Sequence, residues 1–136
     1  VILGMCHSSI KAAPLPTSDD NHEKGYVSRS GMKIIFNDEK KTINIESPAG
    51  NKIFLSEEEK LIEMEDQHGN VLTMDQNGIK IESIKDIVLK AKTDIKADGV
   101  NINLKGSGAA KVEGSGTAEI SSGGSTTVKG SMVQIN

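Results

Sequence analysis

A chain of 136 residues holds one modest domain, yet only 2% of it is aromatic, with Tyr26, Phe36 and Phe54 the whole set and no tryptophan. Large rings fill much of an ordinary core, so this composition excludes a thick globular interior. Charged residues make up 26% of the chain with a net charge of −3, a mixed balance that excludes an electrostatic footprint for nucleic acid or an anionic membrane surface.

In chain order, Val1 to Cys6 read as the last strand of a preceding unit, and the absence of an initiating methionine reads as a piece of a longer protein. The opening Val1-Ile2-Leu3-Gly4-Met5 lacks the basic flank and long apolar stretch of a signal peptide, and no run is long enough to span a bilayer. Cys6 is the single cysteine, so no internal disulfide is possible and a reducing compartment is expected. Residues 11–30 read as linker, because Pro14 and Pro16 force extended backbone and Thr17-Ser18-Asp19-Asp20-Asn21 follows them.

A repeat begins after the linker. Gly31, Gly50 and Gly69 are spaced by 19 residues. Each precedes a short apolar pair: Ile34 and Phe36, Ile53 and Leu55, Leu72 and Met74. A second pair follows in each copy, at Ile43 and Ile45, at Ile62 and Met64, and, shortened by two residues, at Ile79 and Ile81. Residues 31–81 therefore predict three copies of a two-strand unit, with turns at Pro48-Ala49-Gly50-Asn51, His68-Gly69-Asn70 and Asn77-Gly78.

The last third alternates with period two. From Val100 to Met132, all 17 residues of even number are apolar or small and none is charged, while Asn101, Asn103, Lys105, Lys111, Glu113, Glu119 and Lys129 lie on the other parity. That is β structure with one face in and one out. A period of eight is superimposed: Leu104, Val112, Ile120 and Val128 form one register, and Gly106, Gly114, Ser122 and Gly130 the next. Upstream it continues one residue out of phase as Ile79, Ile87 and Ile95. Since ordinary strands hold roughly 3–10 residues, the octad predicts short strands separated by bends.

One branched residue per octad, with glycine or alanine at most other inward sites, gives a core too narrow for a monomer to offset its backbone entropy. Three copies wound about one axis solve this, each octad supplying one edge of a triangular prism. The predicted fold is all-β: an intertwined homotrimeric triple-stranded β-helix from about Gly31 onward, with Ile79, Ile87, Ile95, Leu104, Val112, Ile120 and Val128 as the trimer core. A single-chain β-solenoid needs larger inward ladders. A disordered Gly/Ser linker would not keep strict parity, and a collagen rod would need glycine at every third position.

Chemistry-bearing patterns are weak. His7, His22 and His68 do not pair with another ligand at short spacing. Glu57-Glu58-Glu59 and Glu63-Met64-Glu65-Asp66 read as a solvated loop and an outward face, and no Gly-x-Ser-x-Gly elbow or phosphate loop sits before a helix. The expectation is no enzyme, no metal and no cofactor. At the C-terminal end the parity breaks, and Met132, Val133, Ile135 and Asn136 would offer an apolar platform with open backbone groups for a partner that docks there.

These features resemble VgrG-type spikes of type VI secretion systems and the central spikes of contractile phage tails and related injection systems. The resemblance rests on the octad prism, on Tyr26-Val27-Ser28-Arg29-Ser30-Gly31-Met32-Lys33-Ile34 at its entry, and on the blunt ending Met132-Val133-Gln134-Ile135-Asn136. It implies that residues 1–10 close a small OB-fold barrel, that 11–30 link, and that 31–136 form the needle. It further implies a membrane-puncturing role driven by sheath contraction, a PAAR-repeat cap or effector at the C-terminal end, tube and baseplate partners upstream, and assembly in the bacterial cytoplasm before ejection. An adhesive or tail-fibre shaft is the alternative expectation.

Overall fold

In the computed structural model, Ala13, Leu15 and residues 18–135 are described. The expectations for the strand at Val1–Cys6, the barrel end at 1–10, His7 and Asn136 lie outside these residues. The chain divides into two units, Val1–Leu89 and Lys90–Asn136, so the stretch read as one needle, 31–136, is split after Leu89.

The first unit is a single sheet of seven five-residue strands: β1 (Glu23–Val27), β2 (Lys33–Asn37), β3 (Thr42–Glu46), β4 (Lys52–Ser56), β5 (Leu61–Glu65), β6 (Val71–Asp75) and β7 (Gly78–Glu82). Neighbours in sequence are neighbours in the sheet, and every pairing is antiparallel. No helix occurs among the described residues. The three two-strand copies are β2–β3, β4–β5 and β6–β7. Two expectations are corrected. The linker assigned to 11–30 contains β1, which pairs with β2 along its whole length. The strands up to Glu82 pair within one chain, where pairing between intertwined chains was expected from about Gly31.

The repeat is written in its turns. Gly31, Gly50 and Gly69 have φ of 86°, 97° and 90°, beyond the window of about +50 to +70° that L-residues tolerate. Each glycine N–H donates to the carbonyl three residues back, on Ser28, Ser47 and Asp66, at 3.0 Å in all three turns. This is a three-residue hairpin loop, a type I turn closed by a left-handed glycine. The same three residues cap the loop with their side chains. Ser28 Oγ, Ser47 Oγ and Asp66 Oδ1 accept from the N–H of Met32, Asn51 and Asn70 at 3.0, 3.1 and 2.9 Å. The opposite ends are capped as well: Asn37 Oδ1, Ser56 Oγ and Asp75 Oδ1 accept from the N–H of Lys40, Glu59 and Asn77 at 2.8, 3.1 and 2.7 Å. Both cap series, 28/47/66 and 37/56/75, keep the 19-residue spacing.

Because no neighbouring atom lies within 4 Å of a Cβ built on Gly50, Gly50→Ala isolates the backbone term. It is expected to cost about 1–2 kcal/mol, read as a lower urea midpoint with an unchanged slope.

Asp66 adds a pH dependence. Its carboxylate accepts from Asn70 Nδ2 at 2.6 Å, from Asn70 N–H at 2.9 Å and from His68 N–H at 2.8 Å. These bonds, the Asn70 side chain foremost, hold its pKa below the usual carboxylate range. A depressed folded pKa gives stability that is present above the unfolded value and lost as pH falls through the folded one. Unfolding midpoints measured below about pH 4 are therefore expected to fall more steeply in the parent than in Asp66→Asn.

Candidate assembly faces

Antiparallel register gathers alternate residues of all seven strands onto one face in two columns. The first runs Tyr26, Ile34, Ile45, Ile53, Met64, Leu72, Ile81. The second runs Lys24, Phe36, Ile43, Leu55, Ile62, Met74, Ile79. Only Lys24 breaks the apolar series. The opposite face is mixed: Val27, Ile35, Phe54, Leu61 and Val71 lie on it, but it also carries the ion pairs, with Lys33 reaching Glu46 at 3.6 Å and Lys52 reaching Glu63 at 3.2 Å, and Asn44 donates to Glu46.

A sheet with one apolar face has to bury it against another layer. No strand or helix among the described residues covers this face. Ile43, Ile45, Ile53 and Leu55 are half-buried by their own sheet neighbours, Ile79 and Ile81 are exposed, and no hydrophobic side chain among the described residues is fully buried. A shallow concavity of about 510 Å³ lies over Met32, Ile45, Ile53, Met64, Leu72 and Ile81.

The second unit, with the segment leading into it, exposes its apolar register too. Past Glu82 no strand ladder forms among the described residues, although their parity predicts strands. The physical reason is that a strand requires a partner, and none of the described residues supplies one to this stretch. Its bends do recur as the octad predicts, at 84–85, 92–93, 100, 107–108, 115–116, 123–124 and 131. Corner glycines sit beside them. A Cβ on Gly106 would lie 2.5 Å from the Ala109 carbonyl oxygen, and one on Gly114 would lie 2.7 Å from that of Thr117, so both corners exclude a side chain by close backbone approach.

Of the predicted core residues, only Ile79 is placed in the sheet, opposite Met74. Ile87, Ile95, Leu104, Val112, Ile120 and Val128 are all exposed, Val112 at 81% and Ile120 at 80%. Met132, Val133 and Ile135, expected at a docking end, are exposed as well. The chain carries 12950 Å² of accessible surface. A compact monomer of its mass, 14.5 kDa, would expose about 6,900 Å² and an unfolded one about 21,000 Å². The single chain is thus closer to the folded limit than to the unfolded one, but leaves thousands of Å² that a monomer normally covers.

The histidines and carboxylates do not converge. Among the described residues no three His, Cys, Asp or Glu side chains form a metal set, and His68 meets Gln67 at 3.2 Å in its turn. No helix among the described residues is long and apolar enough to cross a membrane. Sequence reasoning missed the two cap series and β1. The caps were readable from polar residues at 28/47/66 and 37/56/75, whereas β1 offers its apolar face only Tyr26, with Lys24 beside it on the same parity. No protein-family model and no curated protein matches the chain.

Proposed function

We propose that this chain is the needle portion of a VgrG-type spike, a structural element of a contractile injection system that assembles as a homotrimer and does no chemistry of its own. The observation that carries this reading is the two-column apolar face, continued in sequence by the octad register and covered by no strand or helix among the described residues. Three copies facing inward would bury those columns around one axis, and the opposite face with its ion pairs would meet water. The intertwined β-helix then begins after β7, with each chain contributing the octad stretch and Ile87, Ile95, Leu104, Val112, Ile120 and Val128 lining the axis.

In this reading the load-resisting rod comes from interchain backbone pairing, because bending it would break many hydrogen bonds together. Met132, Val133 and Ile135, with Asn136, form the end on which a PAAR-like cap or an effector docks. Tube and baseplate proteins are the further partners in this reading, and the needle passes from bacterial cytoplasm through a target envelope. Native mass measurement on the full chain is the first test, with three copies expected and a monomer overturning the proposal. Deleting Val133 to Asn136 tests the docking end: the trimer is expected to persist and to lose co-purification with its cap, and undiminished cap binding would place docking elsewhere.

A further inference from the structure

The sheet ends at β7 although the sequence goes on to begin another turn. The loops after β1, β3 and β5 read Ser28-Arg29-Ser30-Gly31-Met32, Ser47-Pro48-Ala49-Gly50-Asn51 and Asp66-Gln67-His68-Gly69-Asn70. After β7 the chain reads Ser83-Ile84-Lys85-Asp86-Ile87. Ser83 stands in the cap position and behaves as a cap: its Oγ accepts from Lys85 N–H at 3.2 Å, as Asp66 Oδ1 accepts from His68 N–H at 2.8 Å. Ile84 is tied to the preceding turn as Gln67 is. Asn70 Oδ1 accepts from Ile84 N–H at 3.2 Å, and Asn51 Oδ1 accepts from Gln67 N–H at 3.2 Å. Asn70 Oδ1 also accepts from Ser83 Oγ at 2.8 Å.

The turn then fails at its fourth residue. Asp86 occupies the slot of Gly31, Gly50 and Gly69, whose φ lies between 86° and 97°. An aspartate tolerates the left-handed region near +60° better than most residues, but a φ near +90° is glycine's. Asp86 does not adopt positive φ, and the closing bond from residue 86 N–H to Ser83 C=O, present in the three earlier turns, is not made. Closed in the same way, the turn would have set Leu89 opposite Ile81 in an eighth strand.

One consequence is an open edge. Asp75 and Gly78 flank a two-residue loop and so form the hydrogen-bonded pair of that hairpin. Alternation then turns the N–H and C=O groups of Ile79 and Ile81 outward. β7 is exposed along its whole length and carries neither proline nor a bulge to block pairing. Residues eight further on, Ile87 and Leu89, repeat the apolar register of Ile79 and Ile81 and are themselves exposed.

We propose that Ser83–Asp86 is an aborted fourth turn, and that it holds the outer edge of β7 open for a strand from a second copy of this chain. The occupant is a copy because the uncovered apolar columns match their own continuation, and because the excess surface is of the size that self-association removes. The inference rests on the homotrimer reading but can fail separately from it.

The experiment is residue-resolved amide exchange at Ile79 and Ile81 in the full chain across a dilution series, with native mass measured in parallel. In the parent, both amides are expected to exchange about 100-fold more slowly in the assembled form than in the dissociated chain. An assembled form in which they exchange freely overturns the edge proposal and leaves the trimer standing. A monomer in which they are slow overturns both. In Asp86→Gly, which completes the turn on the pattern of Ser28 to Met32, protection is expected to become independent of concentration as the chain pairs with itself. An Asp86→Gly chain identical to the parent in both readouts shows that the aborted turn does not hold the edge open.

Discussion

Val112→Asp is expected to abolish assembly. Val112 lies on the uncharged parity of the octad and is 81% exposed in the single chain, so the substitution has no penalty in an isolated chain. Around a threefold axis it would put three like charges into a dry, narrow core, each without a partner. Burying an unpaired charge costs several kcal/mol per site. Native mass is therefore expected to drop from trimer to monomer, with loss of the slow unfolding that intertwined chains confer. Ser121→Asp, on the opposite parity, is expected to change neither mass nor melting. A Val112→Asp chain that assembles and melts like the parent would remove Val112 from the core.

Gly114→Ala should produce the second large effect, by geometry and not by charge. A methyl there would stand 2.7 Å from the Thr117 carbonyl oxygen and 3.2 Å from its carbon. Both are backbone atoms, so relief requires the corner itself to open. Overpacking of this kind costs about 1–3 kcal/mol, and an assembly would meet it once per copy. The expected readout is a lower melting temperature with faster unfolding. Gly116→Ala is the matched control, since it shares the parity of Gly114 and nothing lies within 4 Å of a Cβ at that position. Equal effects at the two positions would show that glycine acts there through chain entropy alone, and that the corner is not tight.

The sheet was legible because its signal is repeated and local. Three glycines at one spacing, each before an alternating apolar pair, fix the positions of β2 to β7 without reference to anything distant. β1 escaped notice because Lys24 and Gly25 blunt its alternation, and because it follows Asp19-Asp20-Asn21, which reads as linker. What makes Glu23–Val27 a strand is the neighbouring edge of β2, a tertiary cause.

The octad stretch shows the opposite limit. Its parity was plain from Val100 to Met132, and its bends recur at the expected interval. Yet parity states only which residues share a side; a ladder needs a second strand within hydrogen-bonding reach, and the described residues of the chain do not supply it. The same limit explains why pairing between chains was expected as early as Gly31. Residues 31–82 satisfy period two equally well whether the partner strand belongs to the same chain or another, and it is the hairpin chemistry of Ser28, Ser47 and Asp66 that decides for the same chain. The proposed core residues were singled out by type and spacing, but parity says nothing of their mutual contacts, and in the single chain Ile87 to Val128 of that series are all exposed.

The matched caps at both ends of each copy, 19 residues long in the first two, make the copy a self-contained increment of length. Cutting between Glu46 and Ser47 and again between Glu65 and Asp66 would excise one whole unit, with its glycine turn, its two strands and its far-end cap. Adding such a unit would insert two strands at about 4.8 Å each and restore every cap and both apolar columns in phase. The sheet can therefore grow or shrink in steps of roughly 10 Å with its turns, caps and apolar columns kept in phase, so reach is a quantity this sequence can adjust by counting.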